Sequence, residues 1–395
     1  MTNNLIDLPV LTTPMHVALV YNQKKEDETQ QSDDDSAEPP STIRRDKPSG
    51  TFLTSLISDH HHATDLYAEW DSRKTIEAVR DALSEIHDVV LVEADEFAFE
   101  RLRGLRPDIV FNIAEGMRGV SREAQIPAML EFLQIPYTGS DPLTLAICLD
   151  KSRAKEILAY SDIPTPRFAV VDDPKRVNGA ASHLPCVVKP LHEGSSKGIY
   201  NSSVVRTRKE LEEQVAFVLD AYNQPALVEE FLSGREFTVA MLGNDDTLTV
   251  LPIVEIKFDS LPGDVNPIYS FEAKWIWDRS DAPLKIFECP ANIPPGLRNE
   301  IEGMCRRAYS VLRCRDWCRI DVRLDSSGRP QILELNPLPG ILPKPEDNSC
   351  FPKAARAAGL SYNYLIQTVL AIAARRYCAQ MPELSFQPTH KERIS

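Results

Sequence analysis

Residues 318–340 read CRIDVRLDSSGRPQILELNPLPG. Two apolar runs, 318–324 and 331–335, read as strands, and Asp321, Glu334 and Asn336 sit in or at the end of them. Glu334 and Asn336 are two residues apart, so a strand points both to one face. Their oxygens suit Mg²⁺, a hard ion commonly shared between carboxylates and nucleotide phosphates. Acids inside apolar strands are costly unless they are paired or bind metal.

Upstream, residues 187–198 read VVKPLHEGSSKG. An apolar strand delivers Lys189, and the loop Glu193-Gly194-Ser195-Ser196-Lys197-Gly198 follows. Such a loop brings backbone N–H groups and hydroxyls close to phosphate oxygens, because Gly removes the steric barrier. A plain surface turn has the same composition. The GxxxxGK[ST] phosphate loop is absent. Residues 227–237, LVEEFLSGREF, place a Ser-Gly turn between two strands with acids on both sides. This is either a linker that offers backbone groups to an adenine edge, with Glu236 accepting from ribose, or a hairpin with solvated acids.

Taken in order, Lys151, Lys189, the EGSS loop, EEFLSGREF, RIDV and ELNPLPG resemble an ATP-grasp ligase, and more narrowly the D-alanine–D-alanine ligase family. The resemblance rests on FNIAEG at 111–116, IPYTGSD at 135–141, LDK at 149–151 and VVKPLHEGSSKG at 187–198. It continues through EEFLSGREFTVA at 229–240, YSFEAKW at 269–275, CRIDVRLD at 318–325 and ILELNPLPG at 332–340. It covers residues 105–375 well and residues 15–104 in outline.

The resemblance implies an α/β and α+β architecture, the ATP-grasp fold. An N-terminal parallel-sheet, Rossmann-like domain is expected at 1–139, with a flexible acidic loop at about 22–66. A central lobe at 140–228, a C-terminal lobe at 229–378 and a tail at 379–395 follow, with ATP clasped between the lobes. Lys151 and Lys189 are implied at the α- and β-phosphates, and Glu193, Ser195 and Ser196 in the loop that closes over them. Glu229 and the Phe231–Leu232 backbone are implied at adenine, Glu236 at ribose and Lys274 at the γ-phosphate. Asp321, Glu334 and Asn336 are implied to bind two Mg²⁺, with Mn²⁺ as a substitute.

Arg319 and the Gly340 N–H stand where the family stabilises a tetrahedral oxyanion, and Ser349 where it binds the acceptor carboxylate. Residues 269–288 are implied to form a mobile flap that excludes water. The implied reaction joins two amino acids through an acyl phosphate. Alternatives are a different amino-acid or hydroxy-acid pair, or a catalytically silent nucleotide-binding regulator. The family also implies a homodimer, a cytoplasmic location and a role in peptidoglycan biosynthesis.

Three departures cluster near the first-substrate subsite. The family's SxExxVS loop, whose Glu grips the ammonium, is replaced by YNQKKED after the first strand. Glu115 stands where the family has His, in the run Glu115–Glu123. Trp275 stands where Tyr or Phe is common. Glu115 or Glu123 is therefore a candidate ammonium partner, with Glu69 and Asp71 next in line.

The remaining chain supports this organisation. MHVALVY at 15–21 reads as a first parallel strand, followed by a Pro- and acid-rich stretch at 22–50 that cannot bury enough surface to order itself. His60-His61-His62 reads as a solvated run more readily than a metal site. Ile76, Val79, Leu83 and Ile86 have helical spacing, with Asp71 or Ser72 as cap. Residues 89–92 and 108–111 read as buried strands, and 122–133, 151–161, 297–312 and 362–376 as helices. Thr207 and Glu210 suggest a capping box. Further strands are expected at 226–232, 237–242 and 247–257.

The 395 residues carry 44 Lys and Arg against 58 Asp and Glu, a formal charge of −14. That argues against a nucleic-acid partner, which needs a basic surface. No apolar run approaches the roughly 18–20 residues of a spanning helix, so no membrane partner is expected. The eight scattered Cys read as free thiols of a reducing compartment, with a Cys314–Cys318 metal pair as the lesser alternative.

Overall fold

A computed structural model describes residues 9, 11–24, 69–181, 183–261, 265–278 and 284–380. Its first sheet is the expected parallel one. β1 (His16–Tyr21) lies between β2 (Asp88–Glu93) and β3 (Ile109–Asn112) and pairs parallel with both. α1 (Arg73–Ser84) precedes β2, and its buried Ile76, Val79 and Leu83 follow the helical spacing. Ser72 is its cap: the hydroxyl accepts from the Thr75 N–H. α2 (Ala98–Leu105) joins β2 to β3. α3 (Gln125–Leu133) starts three residues later than expected, after a 3₁₀ turn at Arg122–Ala124. Pro127 falls in its first turn, where a missing N–H costs no helical bond.

α4 (Pro142–Leu149) and α5 (Lys151–Tyr160) lead into a second, antiparallel sheet. It contains β4 (Phe168–Val171), β5 (Cys186–Pro190), β6 (Val204–Val205) and β7 (Ala226–Glu230), in the order β4-β7-β5-β6. α6 (Arg208–Tyr222) buries Leu211, Val215 and Val218 against it, and Thr207 with Glu210 forms the capping box.

The third sheet holds β8 (Glu236–Leu242), β9 (Thr249–Val250), β10 (Val254–Ile256), β11 (Phe287–Glu288), β12 (Trp317–Leu324) and β13 (Pro330–Asn336). Its order is β11-β10-β8-β12-β13, with β9 on β8. The single strand expected at 247–257 is broken into β9 and β10, because Pro252 between them cannot donate to a ladder. α7 (Pro295–Val311) backs this sheet. α8 (Cys350–Ala357) and α9 (Tyr362–Gln380) then return to the first sheet.

α9 therefore runs through Gln380, past the expected start of the tail. Residues 381–395, residues 25–66 of the acidic loop and His60–His62 lie outside the described residues. All eight Cys are free thiols. Cys314 adjoins both Cys148 and Cys318, yet no metal-holding group forms among the described residues. No single described helix is long and apolar enough to cross a membrane. The apolar α8–α9 pair bends by 100° and packs into the core.

That core is shared by the first and third sheets. Leu19, Ile109 and Phe111 meet Leu242, Trp317, Phe351, Leu365 and Val369 in one cluster. The Trp317 ring stands edge-on to Phe111 at 5.7 Å and to Phe351 at 5.8 Å. Beside it, fully buried Asp316 accepts from Arg376 at 2.7 and 3.0 Å, from the Gly139 N–H at 2.8 Å and from Asn244 at 2.8 Å. Arg376 also donates to the Tyr137 carbonyl at 2.9 Å. These bonds hold the chain between α3 and α4, the start of β12 and the end of α9 in one register. Replacing Arg376 by Leu leaves a buried carboxylate uncompensated. Urea unfolding of Arg376→Leu is expected to show a loss of about 3–5 kcal/mol.

Candidate active site

The second and third sheets face each other across a cleft of about 680 Å³. A smaller recess of about 90 Å³ continues it toward the first sheet. Lys189, Glu193, Ser195, Ser196, Glu229, Phe231, Leu232, Glu236, Lys274, Trp275, Arg319, Asp321, Glu334, Gly340 and Ser349 line the cleft. Glu115, Glu123, Lys151 and Asn336 line the recess. All the candidate site residues thus come to one place.

Strand geometry delivers most of them. On β12 and β13, Asp321 stands opposite Glu334 and Arg319 opposite Asn336. Arg319 donates to both Asp321 oxygens, at 2.9 and 3.1 Å. Asn336 Nδ2 lies 3.3 Å from Asp321 and 3.5 Å from Glu334. Two carboxylates and an amide therefore converge, a donor set that fits a hard divalent cation. Burial raises the Asp321 pKa, with Arg319 opposing. Burial also works to raise Glu334, but Lys151, Lys189 and Arg319 outweigh it and pull that pKa down to about 2.

A buried charge cluster lies behind this set. Glu229 takes Lys189 at 2.6 Å and Lys155 at 2.7 Å. Burial opposes the ionised Glu229, and the two ammonium groups reverse the sign, leaving its pKa lowered. Burial pushes Lys155 down to about 8 despite Glu229. The Glu229 carboxylate is thus occupied by lysines, while Phe231 and Leu232 border the cavity. Glu236 is held by Arg323 at 2.8 Å, and burial leaves its pKa raised.

The glycine loop is fastened from two sides. Ser195 and Ser196 both adopt left-handed backbone, with φ of 52° and 61°. At Gly198 an added Cβ would fall 2.3 Å from Pro190 Cγ, so only Gly fits. The 269–278 segment closes on this loop through Ser196 to the Tyr269 carbonyl at 2.9 Å and Trp275 Nε1 to the Ser195 carbonyl at 3.1 Å. It contains a π-helical turn, Glu272–Trp277, that carries Lys274 and Trp275. Lys24 and Lys274 lie 5.0 and 5.3 Å from the Trp275 ring centroid. Burial and Arg319 bring the Lys274 pKa down to about 8. Ser349 donates to the Gly340 carbonyl at 2.9 Å and accepts from the Leu342 N–H at 3.3 Å, bracing that loop.

On the other side, Arg122 donates to Glu69 at 2.7 and 2.8 Å, to Glu193 at 3.3 Å and to the His192 carbonyl at 2.8 Å. Glu69 also accepts the Gly194 N–H at 2.6 Å. Glu193 is further held by Lys197 at 3.1 Å and Gln224 at 2.8 Å, so its carboxylate braces the loop. Lys151 donates to the Glu193 carbonyl and sits 3.9 Å from Glu334.

Sequence reading missed Lys24, Arg122, Lys155 and Arg323. Lys155 carries a signal, since it follows Lys151 by one helical turn. Arg323, two residues after Asp321, carries a strand-periodicity signal. Arg122 carries none, because Glu69 and Glu193 are 53 and 71 residues away in sequence.

Comparison with known proteins agrees with this geometry. A family model described as D-ala D-ala ligase C-terminus matches residues 157–371. The uncharacterized protein y4sG of Sinorhizobium fredii is 36% identical over 319 residues, which is 78% of this chain and 90% of that one. A D-alanine–D-alanine ligase of Bordetella petrii is 33% identical over 289 residues, 73% of this chain and 82% of its own. One of Moorella thermoacetica is 32% identical over 312 residues, 76% and 94% of the two chains. Crystal structures of the Bacillus anthracis D-alanine–D-alanine ligase share the fold. The one with ATP superposes with a TM-score of 0.60 at 20% identity, covering 93% of this chain and 99% of that one. The other gives 0.63 at 21% identity over the same shares.

Asp71 borders both cavities, and burial raises its pKa to about 7. Its unfolded value is near 3.8. Between these values the folded chain holds a proton that the unfolded chain has lost, so this group costs stability as pH rises through that window. Asp71→Asn removes the cost. The melting temperature of the variant minus that of wild type, measured by differential scanning fluorimetry, is expected to grow by roughly 2–4 °C from pH 5 to pH 8.

Proposed function

The chain belongs to the D-alanine–D-alanine ligase family, and from that premise we propose how its cleft works as an ATP-dependent carboxylate–amine ligase that joins two amino acids. The observation that carries the reading is the convergence of Lys151, Lys189, Lys274 and Arg319 on the carboxylate pair Asp321 and Glu334 in one cleft. In an acidic protein, those cations make a local site for a polyphosphate.

Lys151 and Lys189 hold the α- and β-phosphates, and Lys274 takes the γ-phosphate. The loop at 193–198, with Ser195 and Ser196, covers them. Phe231 and Leu232 meet adenine, with Glu229 held beside it by its two lysines, and Glu236 meets ribose. Asp321, Glu334 and Asn336 would hold magnesium, which neutralises phosphate charge when bound. Manganese has the same oxygen preference.

The donor's carboxylate oxygen forms a bond to the γ-phosphorus as the bond to ADP breaks, giving an acyl phosphate. The acceptor amine then attacks the acyl carbon, loses a proton and expels phosphate. Arg319 and the Gly340 N–H face the oxyanion of that second step. Ser349 takes the acceptor carboxylate, and Trp275 closes over the site. The hydrogen bonds from the 269–278 segment to the glycine loop support its role in keeping water from the acyl phosphate.

The domain limits belong to the same reading, at 139/140, after the second sheet, and near 378. β7 pairs along its length with β4 and β5, so the middle limit falls after Glu230 rather than at 228. A homodimer through the N-terminal domain is supported by exposed Phe132, whose ring lies 6.1 Å from that of Phe99 and is tilted to it by 46°. The free thiols support a cytoplasmic location.

The test is ADP and phosphate release from Mg-ATP across D- and L-amino-acid pairs and hydroxy acids, with mass spectrometry of the product. A product mass equal to the two substrates minus water supports the ligase. ATP binding with no substrate-dependent ADP release points to the silent regulator. In the active enzyme, Arg319→Ala is expected to lower kcat by about 100- to 1000-fold. Glu115→Gln is expected to raise the KM of the first substrate by roughly 10-fold, since an ammonium–carboxylate bond is lost.

A further inference from the structure

β12 carries Arg319, Asp321 and Arg323 at alternate positions, so one strand face presents all three, and each lines the cleft. Arg319 and Asp321 stand among the reacting groups. Arg323 lies further along the strand, buried and held on every side. It donates to Glu236, the residue directly opposite on β8, at 2.8 Å, and to the Pro267 carbonyl at 2.7 Å. The rings of Phe231 and Phe258 have their centroids 5.1 and 5.3 Å from its central carbon, within cation–π range. Two hydrogen bonds and two rings fix both the place and the plane of the guanidinium. A planar fork so fixed imposes one orientation on the carboxylate it holds, which a lysine ammonium does not.

That carboxylate is Glu236. Arg323 takes its Oε2; no described residue hydrogen-bonds Oε1, and the side chain lines the cleft. Glu236 is thus anchored by one oxygen and offers the other as an acceptor with a set direction. The order along β12 says which donor it meets. Arg323 lies against Phe231, at the adenine wall, and Asp321, in the cation-binding set, comes two residues earlier, opposite Thr238. Base wall, Glu236 and cation set therefore follow one another as base, sugar and phosphates do in a nucleotide.

We infer that Arg323 is a positioning residue for the nucleotide sugar: by fixing Glu236, it makes the cleft select ribonucleotides over deoxyribonucleotides. The inference rests on the reading that ATP fills the cleft with its ribose at Glu236. A ribose hydroxyl donating to that carboxylate makes a charge-assisted hydrogen bond, whereas a deoxy analogue leaves a buried acceptor unanswered. Without Arg323 the Glu236 side chain loses its anchor, and the hydroxyl no longer finds an acceptor in a fixed place.

The test is calorimetric titration of the full chain with the magnesium complexes of ATP, 2′-deoxy-ATP and 3′-deoxy-ATP. Wild type is expected to bind ATP about 10-fold more tightly than at least one deoxy analogue, the worth of one charge-assisted hydrogen bond. Arg323→Met is expected to reduce that ratio to less than about 2-fold, since the bond is then no longer made. Arg323→Lys keeps the charge beside buried Glu236, so it is the variant to read if Arg323→Met does not fold; it is expected to keep a ratio of about 3-fold, because an ammonium lacks the fork.

A purely structural role for Arg323 weakens all three nucleotides together and leaves the ratio at its wild-type value, a result that overturns the inference. Glu236→Gln separates the two levels of the argument. A wild-type preference that is lost in Glu236→Gln but kept in the Arg323 variants overturns the role of Arg323 alone. Equal binding of all three nucleotides by wild type, or binding of none, overturns the placing of ribose at Glu236 and the inference with it.

Discussion

Asp321 and Glu334 stand directly opposite each other on β12 and β13. Like charges in that position destabilise a sheet. The pair persists because cations arrive from elsewhere: Arg319 from the same strand, Lys151 from the start of α5, and Lys189 from the end of β5, which acts on Glu334 from the facing sheet. Much of the architecture follows from supplying them. α5 must lie against β13, and the second sheet must face the third. A cleft between two sheets is then a consequence of charge balance as much as of connectivity.

The same logic repeats one layer back. Glu229 is buried on β7 and is tolerated because Lys155 and Lys189 reach it from a helix and a neighbouring strand. Each lysine is itself desolvated, and Lys155 feels that as a lowered pKa. Arg122 performs the third such balance, joining Glu69 and Glu193 across the boundary between the first domain and the glycine loop. Asp71, Glu115 and Glu123 line the recess beside Lys151, Lys274 and Arg319.

Legibility in the sequence followed the range of the interactions. α6 was readable because its cap, Thr207 with Glu210, spans three residues. β12 and β13 were readable from apolar runs of ordinary strand length. α4, PLTLAICL, was missed because it is apolar on all sides and shows no period, although Asp141 caps it and Pro142 opens it. α2, α8 and β4 were missed as well; they are short elements of four to eight residues. The strand expected at 247–257 ignored Pro252. Every candidate site residue reached the cleft or the recess that continues it, but the partners of Glu229 and Glu193 were not legible, since those bonds join distant segments.

By itself, the sequence determined the class of fold, the parallel first sheet, and the set of residues that meet at the cleft. Those features rest on local periodicity and on short motifs whose side chains act wherever the strand or loop ends. Only the tertiary structure decided which acids are neutralised and which are not. Charge pairing between segments 53 and 71 residues apart is invisible in a linear pattern. It is that pairing that makes Glu69 a clamp between Arg122 and the glycine loop.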